Sequence, residues 1–404
     1  MTTNEKKSSP KLLGKLGVAE LAVALSPILV QYPNYIGLIV LIITAIYLFF
    51  KKMVVYWYIP LLLYLVYVLL HEIVVGIALP AVPSYFINRT ITTALSILLV
   101  FFISPNLDYE KFYNSLLLVA IICFIGLLYH YYIVFFTSNT VSAIQLPLLP
   151  ELRRSEDLLD RPCSFFAEPA SYASFMIMVV SFCIIRKKMV LAVLFSLSIL
   201  LSTSTNGFAF VVIVWLVYLL VSEKGKRRSR SILWVILLGG LFYWISSKGF
   251  LDAGFYKISQ TNFDDDVRLT SGLNLYRNIP FIYKIFGIDV ANVYDFIVQH
   301  PDLLDGDFTI LVKEGEVYLT SFWENAIHYG FPGVALYLYC LLGFVREKRL
   351  WPYLAVCLVA LFSQSGDISM KMIFMIVIYR FFSKNKITKI KANENINSSL
   401  AYNQ

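Results

Sequence analysis

The feature that most constrains this chain is a series of twelve continuous apolar runs. A helix needs about 20 mostly apolar residues to cross the roughly 30 Å hydrocarbon core of a bilayer. The runs do not alternate apolar with polar residues, as the strands of a membrane β-barrel would. The sequence therefore predicts an all-α polytopic membrane protein with about 12 transmembrane helices. The runs fall at about 17–31, 35–50, 53–70, 88–104, 113–136, 163–185, 189–203, 206–222, 231–247, 322–345, 351–365 and 369–383.

Composition indicates the same class. The chain is 58% hydrophobic and only 15% charged, whereas soluble domains carry about 25% charged residues. These values exclude a soluble enzyme, a disordered protein and a single-span receptor with a large soluble domain.

The distribution of Lys and Arg predicts the orientation of the helices. Two thirds of the 34 basic residues lie in the termini and in alternate connections between the predicted spans, as the positive-inside rule expects of cytoplasmic segments. Most of the 26 acidic residues fall on the other side. Both termini are therefore predicted to be cytoplasmic. The net charge of +8 then reflects orientation, and no nucleic-acid partner is expected.

The runs divide the chain into four parts. Residues 1–247 hold transmembrane helices 1–9 and an external loop at 137–162, and residues 322–383 hold helices 10–12. Between them lies a large external loop at 248–321, whose helical patterning from Val267 to Ile285 predicts a folded cap over the outer face. Residues 384–404 read as a disordered cytoplasmic tail.

The segment 161–169 (RPCSFFAEP) leads into the sixth predicted span. Pro162 suits the first position of a helix, so the span is expected to begin near residue 163 and to kink at Pro169. Glu168 would then lie about five residues inside the span, where an uncompensated carboxylate costs several kcal/mol. Arg161 is the expected partner of Glu168. The pair is either a structural clasp or part of a functional site.

A second group of polar residues lies at the predicted outer entrance of the tenth span. Glu324 and His328 are four residues apart and therefore share a helix face, and Asn325 lies beside them. Ionisable groups at such a depth are functional candidates. A structural hydrogen-bonding role remains an equal alternative to catalysis.

The large loop contributes Arg268 and Arg277, preceded by three aspartates at 264–266. A guanidinium matches phosphate oxygens bidentately, so arginines beside a membrane cavity point to an anionic, lipid-linked substrate. The three aspartates either bind a metal or form a solvated turn. Adjacent residues do not converge on one ion without further ligands, which favours the turn.

Four stretches, in chain order, resemble elements of the Wzy-type O-antigen and capsular polysaccharide polymerases. Residues 161–169 resemble the element R-x-x-G-x-F-x-E-P, and residues 201–207 (LSTSTNG) resemble a short external turn ending in S-R-t-g. Residues 268–289 are similar to an R…p-l-x-G-x-G loop, and residues 325–333 (NAIHYGFPG) to a late N…G-x-x-G helix start. The departures are Ser164 for glycine, Thr205 for arginine and Asp289 for the second glycine of the loop.

The resemblance implies a GT-C-like, membrane-embedded glycosyltransferase of the bacterial inner membrane. Such an enzyme joins undecaprenyl-diphosphate-linked oligosaccharide units on the outer face of that membrane, without metal or cofactor. A chain-length regulator and a flippase would be further partners. The implied catalytic residues are Arg268 for the departing diphosphate, Glu168 as first choice of base and His328 as second. Arg161, Arg277 and Arg154 would bind the lipid diphosphate, with Pro169, Asn325 and Glu324 in supporting positions.

Three other functions remain open. An O-antigen ligase has a similar architecture but passes the polymer to a lipid A-core sugar, and His328 fits that reaction as well. A lipid-linked oligosaccharide flippase would also have about 12 spans, but the loop at 248–321 is too long for one. A transporter is expected to place ionisable residues near mid-membrane, whereas here most of them are predicted at the outer ends.

Overall fold

The computed structural model consists of helices and irregular connections, and none of the residues it describes lies in a β-strand. The predicted all-α class is therefore confirmed. The described residues are 14–32, 36–52, 54–78, 83–137, 139–152, 159, 161–221, 226–249, 267–288, 293–299, 319–363 and 370–382.

Each of the twelve predicted apolar runs coincides with a helix in this part of the chain. Three further short helices lie in the segment between the ninth and tenth of them. The helices are α1 Val18–Leu29, α2 Ile36–Lys52, α3 Ile59–Ala78, α4 Pro83–Ile103, α5 Tyr109–Thr137, α6 Pro169–Ile185, α7 Met189–Leu201, α8 Thr205–Val221, α9 Lys226–Ser247, α10 Val267–Asn278, α11 Phe281–Phe286, α12 Val293–Gln299, α13 Ser321–Leu342, α14 Trp351–Ser363 and α15 370–382.

The helices differ in their ability to cross a membrane alone. Within the described ranges, only α5 is both long and apolar enough by itself, with 29 residues. Eight shorter apolar segments of 10–17 residues accompany it in the same ranges. Crossing by those shorter helices therefore remains a prediction.

Contacts between the connections define two ends of the bundle. At one end, which we call the basic end, the α4–α5 turn contacts α1 and the α2–α3 connection. At the same end the start of α5 contacts the α6–α7 turn, and the α13–α14 connection contacts the end of α15. The contacting pairs there are Glu20–Asp108, Val54–Asn106, Glu110–Arg186 and Arg349–Phe382. At the other end, which we call the motif end, the pairs are Gln31–Ala167, Arg161–Thr203, Asn206–Ser363 and Phe322–Phe362. The described connections thus alternate between the two ends in the order that the charge pattern predicts.

Helix α6 lies at the centre of the bundle. Thirteen of its seventeen residues are buried, the first being Pro169 and the last Ile184, so no face of the helix is exposed. The peripheral helices α2 and α9 instead expose large apolar side chains, among them Ile43, Phe50, Leu233 and Tyr243. Exposed apolar side chains of this size on two helices are compatible with an α-helical membrane protein.

The expected kinked start of the sixth span is wrong. Helix α6 begins at Pro169, with Glu168 as its N-cap in an extended conformation. Pro169 occupies the first helical position, where its missing amide hydrogen leaves no bond unmade. Pro162 does not start a helix, because residues 161–168 are irregular. Pro169 therefore marks a helix start and produces no kink.

The described part of the large loop folds back onto the bundle. The predicted helix Val267–Ile285 is interrupted at Pro280, which separates α10 from α11. A small second core joins three of these loop helices to α13. Its buried residues are Leu275, Ile279, Ile288, Val293, Ile297 and Ile327.

Candidate functional site

The irregular segment 161–168 is held against the middle of α5. The Nδ1 atom of His130 accepts hydrogen bonds from the backbone amides of Cys163 and Ser164, at 3.4 and 3.2 Å. The Ser164 hydroxyl donates to the carbonyl oxygen of Cys123 at 2.7 Å. His130 is almost fully buried. The irregular segment is therefore packed inside the bundle.

Ser164 adopts a left-handed backbone conformation, with φ of 59°. This is the position where the resembling family has glycine, the residue that adopts such a conformation without steric cost. Gly126 of α5 makes room for the serine, because a Cβ at residue 126 would collide with the Ser164 hydroxyl. The hydrogen bond from the Ser164 hydroxyl to α5 thus offsets part of the steric cost that a positive φ imposes on a residue other than glycine.

Arg161 joins the first motif segment to the second. Its Nε donates to the Thr203 hydroxyl at 3.1 Å, and its Nη2 donates to the Thr203 carbonyl oxygen at 2.5 Å. Arg161 is buried, so this two-point contact is shielded from competing water. The expected pairing of Arg161 with Glu168 is replaced, among the described residues, by this contact with the α7–α8 turn.

Glu168 and Pro169 stand at the N-terminus of α6. The Glu168 side chain forms no capping hydrogen bond with its own helix, and it is half-buried. The neighbouring amide of Ala167 donates to the side-chain oxygen of Gln31 at 2.9 Å, which fixes this position against the end of α1. The carboxylate is thus held on a rigid backbone and is not used for capping.

Helix α13 is broken at Gly330, whose φ of 65° and ψ of −168° are not helical. Pro332, two residues further on, has no amide hydrogen for the His328 carbonyl. The carbonyls released by this break are bonded from outside the helix. Ile288 donates its amide to the Ile327 oxygen at 2.8 Å, and the Tyr67 hydroxyl donates to the Tyr329 oxygen at 2.6 Å.

The break at Gly330 lies directly against the turn after α11. A Cβ at Gly287 would collide with the carbonyl oxygen of His328, and a Cβ at Gly330 would collide with that of Ile285. Gly287 also has a positive φ, of 80°. The third and fourth motif segments therefore meet through two glycines, one in each segment.

The three polar residues near the start of α13 differ in how deeply they are buried. Asn325 is buried; it accepts a hydrogen bond from the Tyr64 hydroxyl at 2.5 Å and donates to the Ser321 carbonyl at 2.7 Å. His328 is 6% exposed, whereas Glu324 is half-buried. Asn325 thus has a structural partner on α3.

The neighbouring part of α3 carries two further buried polar residues. His71 contacts the Phe286 carbonyl through Nε2, and Glu72 is 2% exposed. Neither His71 nor Glu72 is among the site residues predicted from the sequence. A buried carboxylate in an apolar helix is the signal that could have singled out Glu72.

The two pairs of motif segments are joined through α14. The Asn206 side chain donates to the Ser363 carbonyl at 3.4 Å, and Phe362 stacks on Phe322 with ring centroids 4.6 Å apart. Phe322 lies in the first turn of α13, two residues before Glu324. The four motif segments therefore lie at the motif end as two contacting pairs, which α14 links.

Several predicted residues fall wholly or partly outside the described part of the chain. Arg154, the aspartates at 264–266 and Asp289 lie outside it, and for Arg268 only the backbone is described, within α10. Arg277, nine residues later on α10, is exposed. Positions nine residues apart lie about 180° apart around a helix. The positions 268 and 277 therefore do not share a face of α10.

Helix α10 packs on the start of α13. Gly272 lies so close to Trp323 that a Cβ there would collide with the indole, and Tyr276 contacts the same ring with centroids 5.6 Å apart. This places the backbone of α10 beside Glu324. The described residues contain no group of three His, Cys, Asp or Glu side chains arranged to hold a metal ion.

Thr203, His130 and Tyr64 contribute contacts that the sequence gives no reason to expect. Each is bonded to a residue at least 33 positions away in the chain. No local pattern marks such partners, since the pairing depends on how the helices pack.

Comparison with protein families, with curated proteins and with solved structures finds no match to this chain.

Proposed function

We propose that the chain is a membrane-embedded glycosyltransferase that polymerises lipid-linked oligosaccharide repeat units into O-antigen or capsular polysaccharide. One observation carries the proposal. The four segments that resemble the polymerase motifs are spread over residues 161–333, yet they lie at one end of the bundle as two contacting pairs linked through α14. The contacts that join them are Arg161–Thr203, Asn206–Ser363 and Gly287–Gly330.

We place the bundle across the bacterial inner membrane, with the basic end in the cytoplasm and the motif end on the outer face. The exposed apolar perimeter and the clusters of Lys and Arg at the basic end support this orientation. Short helices and the broken helix α13 are compatible with a bilayer where they are covered by protein or border a water-filled cavity. The motif end is such a place, because α10 and α11 cover it.

In the proposed reaction, a hydroxyl of the acceptor sugar attacks the anomeric carbon of the donor. The new glycosidic bond forms as the bond from that carbon to the diphosphate breaks, and the lipid diphosphate leaves with the electron pair. The hydroxyl proton passes to a base, which contributes about 10²–10⁴-fold to the rate. Glu168 is our first choice for this base, since its carboxylate is not used for capping. His328 is the second choice.

Positive charge near the departing diphosphate would be the largest electrostatic contribution. We assign this role to Arg268, on the helix that packs against the start of α13. Arg161 is buried and bonded to Thr203, so we assign it a positioning role between the first two motif segments.

A genetic experiment tests the proposed function. Deletion of the gene in its host should leave single repeat units on the lipid core or carrier, seen as loss of the polysaccharide ladder on a gel. Restoration with Glu168→Gln or Arg268→Ala at matched expression should not recover the ladder. The control Glu151→Gln makes the same change at an exposed residue of the 139–152 connection and should recover it.

The outcomes separate the alternatives. Polymer that accumulates on the lipid carrier in the deletion strain would indicate a ligase. An unchanged ladder in that strain would refute the proposed function. A full ladder with Glu168→Gln would refute only the role of Glu168.

A further inference from the structure

The connection after α5 turns back along that helix. The Asn139 side chain donates to the Thr137 hydroxyl at the end of α5, at 3.1 Å. Ile144 lies beside Gly126, where an added Cβ would be 2.9 Å from its Cδ1 atom. Gly126 is eleven residues before Thr137, which corresponds to about 16 Å along the helix axis. Residues 139–144 therefore run from the end of α5 toward its middle.

The exposed face of α5 indicates where the outer boundary of the bilayer would lie. Between residues 122 and 132, its exposed hydrophobic residues are first aliphatic and then aromatic: Ile122, Ile125, Leu128, Tyr129 and Tyr132. Tyrosine is enriched at membrane–water interfaces, where its ring lies among the lipids and its hydroxyl reaches water. The change to tyrosine after Leu128 therefore marks the boundary, and Gly126 and Ile144 lie close to its level.

The connection continues into a turn that carries a fully exposed leucine. The Leu149 amide donates to the Leu146 carbonyl oxygen at 3.2 Å, which closes the turn 146–149. Leu146 and Leu149 pack against the main core of the bundle, whereas the Leu148 side chain is fully exposed. Leu148 also has a positive φ, of 68°, which is costly for a bulky residue and is usually left to glycine or asparagine. A leucine in this conformation points to a function of its side chain.

The backbone of this turn needs little water. Pro147 and Pro150 have no amide hydrogen, and the Leu149 carbonyl oxygen accepts a hydrogen bond from the Gln145 side chain at 2.7 Å. Residues 139–150 contain no charged side chain. Such a turn suits the edge of the hydrocarbon, where polar backbone groups without hydrogen bonds are costly.

We propose that the turn 146–149 is a membrane anchor, in which Leu148 inserts among the lipid acyl chains at the outer boundary of the bilayer. The inference rests on the membrane placement in the proposed function. Leu148 is four residues from Ile144 and therefore lies within about 14 Å of it. An apolar side chain that enters the boundary between headgroups and acyl chains holds its segment at the membrane surface.

The anchor is attached to the first motif segment. The Val141 amide donates to the Leu159 carbonyl oxygen at 2.7 Å, and the Ile144 amide donates to the Ser164 carbonyl oxygen at 2.9 Å. Two backbone hydrogen bonds therefore join the segment before the anchor to the first motif segment and to the residue shortly before it. The anchor thereby sets the height of that motif segment above the membrane surface, where a lipid-linked substrate presents its diphosphate.

The test is a fluorescence-quenching measurement on the full-length protein in nanodiscs. The five native cysteines are buried, so a maleimide of the dye NBD, attached in detergent before reconstitution, should react only with a cysteine introduced at the surface. Leu148→Cys carries the dye at the turn. Asn139→Cys, at an exposed residue beyond the end of α5, is the control in water. Ile125→Cys, on the exposed aliphatic part of α5, is the control in lipid.

Two quenchers report the surroundings of the dye. A lipid with a nitroxide near the headgroup end of its acyl chain should quench the dye in Leu148→Cys as strongly as in Ile125→Cys. Iodide in the water should quench it at least about threefold less in Leu148→Cys than in Asn139→Cys, because an ion does not enter an apolar environment.

A second measurement removes any influence of the dye. In nanodiscs, a charged, membrane-impermeant maleimide should react with unlabelled Leu148→Cys at least about tenfold more slowly than with Asn139→Cys, because the reactive thiolate does not form readily in apolar surroundings. Equal reaction rates would overturn the anchor.

The controls separate the anchor from the proposed function. Iodide quenching as strong in Leu148→Cys as in Asn139→Cys, with Ile125→Cys in lipid, would overturn the anchor and leave the membrane placement intact. Protection of Leu148→Cys from both quenchers would also overturn it, because protein, such as a second copy of the chain, would then cover the turn. If iodide reaches Ile125→Cys as well, the membrane placement fails together with the anchor. If the deletion strain keeps its polysaccharide ladder while lipid quenches Leu148→Cys, the proposed reaction fails and the anchor stands.

Discussion

The close approach of the backbone at Gly287 and Gly330 allows a quantitative prediction. Gly330 has φ of 65° and ψ of −168°, a backbone region that is essentially restricted to glycine and costs other residues about 1–3 kcal/mol. In Gly330→Ala, the added Cβ would collide with the Ile285 carbonyl oxygen and lie 2.8 Å from the Gly287 nitrogen. Both are backbone atoms, so they cannot move aside by changing a rotamer.

Overpacking of this kind costs about a further 1–3 kcal/mol, which gives a total of roughly 2–6 kcal/mol. That is a large part of the 5–15 kcal/mol that typically stabilises a folded protein, as an order of magnitude. We therefore expect Gly330→Ala to melt well below the wild type. Tryptophan fluorescence during heating of the purified protein in nanodiscs measures this, and loss of the polysaccharide ladder should accompany it.

Gly239→Ala is the matched control. Gly239 lies inside α9 with nothing within 4 Å of an added Cβ, so alanine should stabilise the helix by about 0.5–1 kcal/mol. If Gly330→Ala melts with the wild type, the left-handed break and the close approach of Ile285 do not restrict residue 330, and the reasoning is refuted. Equal destabilisation by Gly239→Ala would refute it too.

Three further predictions concern the hydrogen bonds that hold the motif segments. In the same melting assay, Ser164→Gly should stay within about 1 kcal/mol of the wild-type stability, because glycine suits the positive φ. Ser164→Val should lose about 1–3 kcal/mol of stability, because valine does not. Equal stabilities of the two variants would contradict the role of this backbone conformation. Arg161→Lys should cost about 1.5–3 kcal/mol, since lysine cannot reproduce the two-point contact with Thr203, and a wild-type melting curve would show that the contact contributes little. Tyr64→Phe should cost about 1–3 kcal/mol by leaving buried Asn325 without its donor, and double-mutant cycles with Asn325→Ala should show coupling between the two residues.

The class of the fold could be predicted because it depends on local properties. Each apolar run is continuous in sequence, and helix formation satisfies the backbone groups of a run from within that run. For the same reason the order of the helices and the alternation of their ends follow from the apolar runs and from the charges between them. The boundary at Pro169 is the exception. A proline fits either a kink or a first helical position, and the packing of 161–168 against α5 selects the second.

The candidate site could be predicted only as a list of motif segments. Glycine at 287 and 330 and serine at 164 are visible in the sequence, but their positive φ values are not. The pairing of Arg161 with Thr203 in place of Glu168 is likewise decided by the position of the α7–α8 turn. Such contacts join residues far apart in the chain, so their partners are fixed only when the helices pack.

The sequence by itself determined that the chain forms a bundle of apolar helices with its basic residues gathered at one end, because hydrophobicity and charge act through the composition of each segment. Only the tertiary structure decided which polar side chains share a site, since a few buried contacts between distant segments fix their distances.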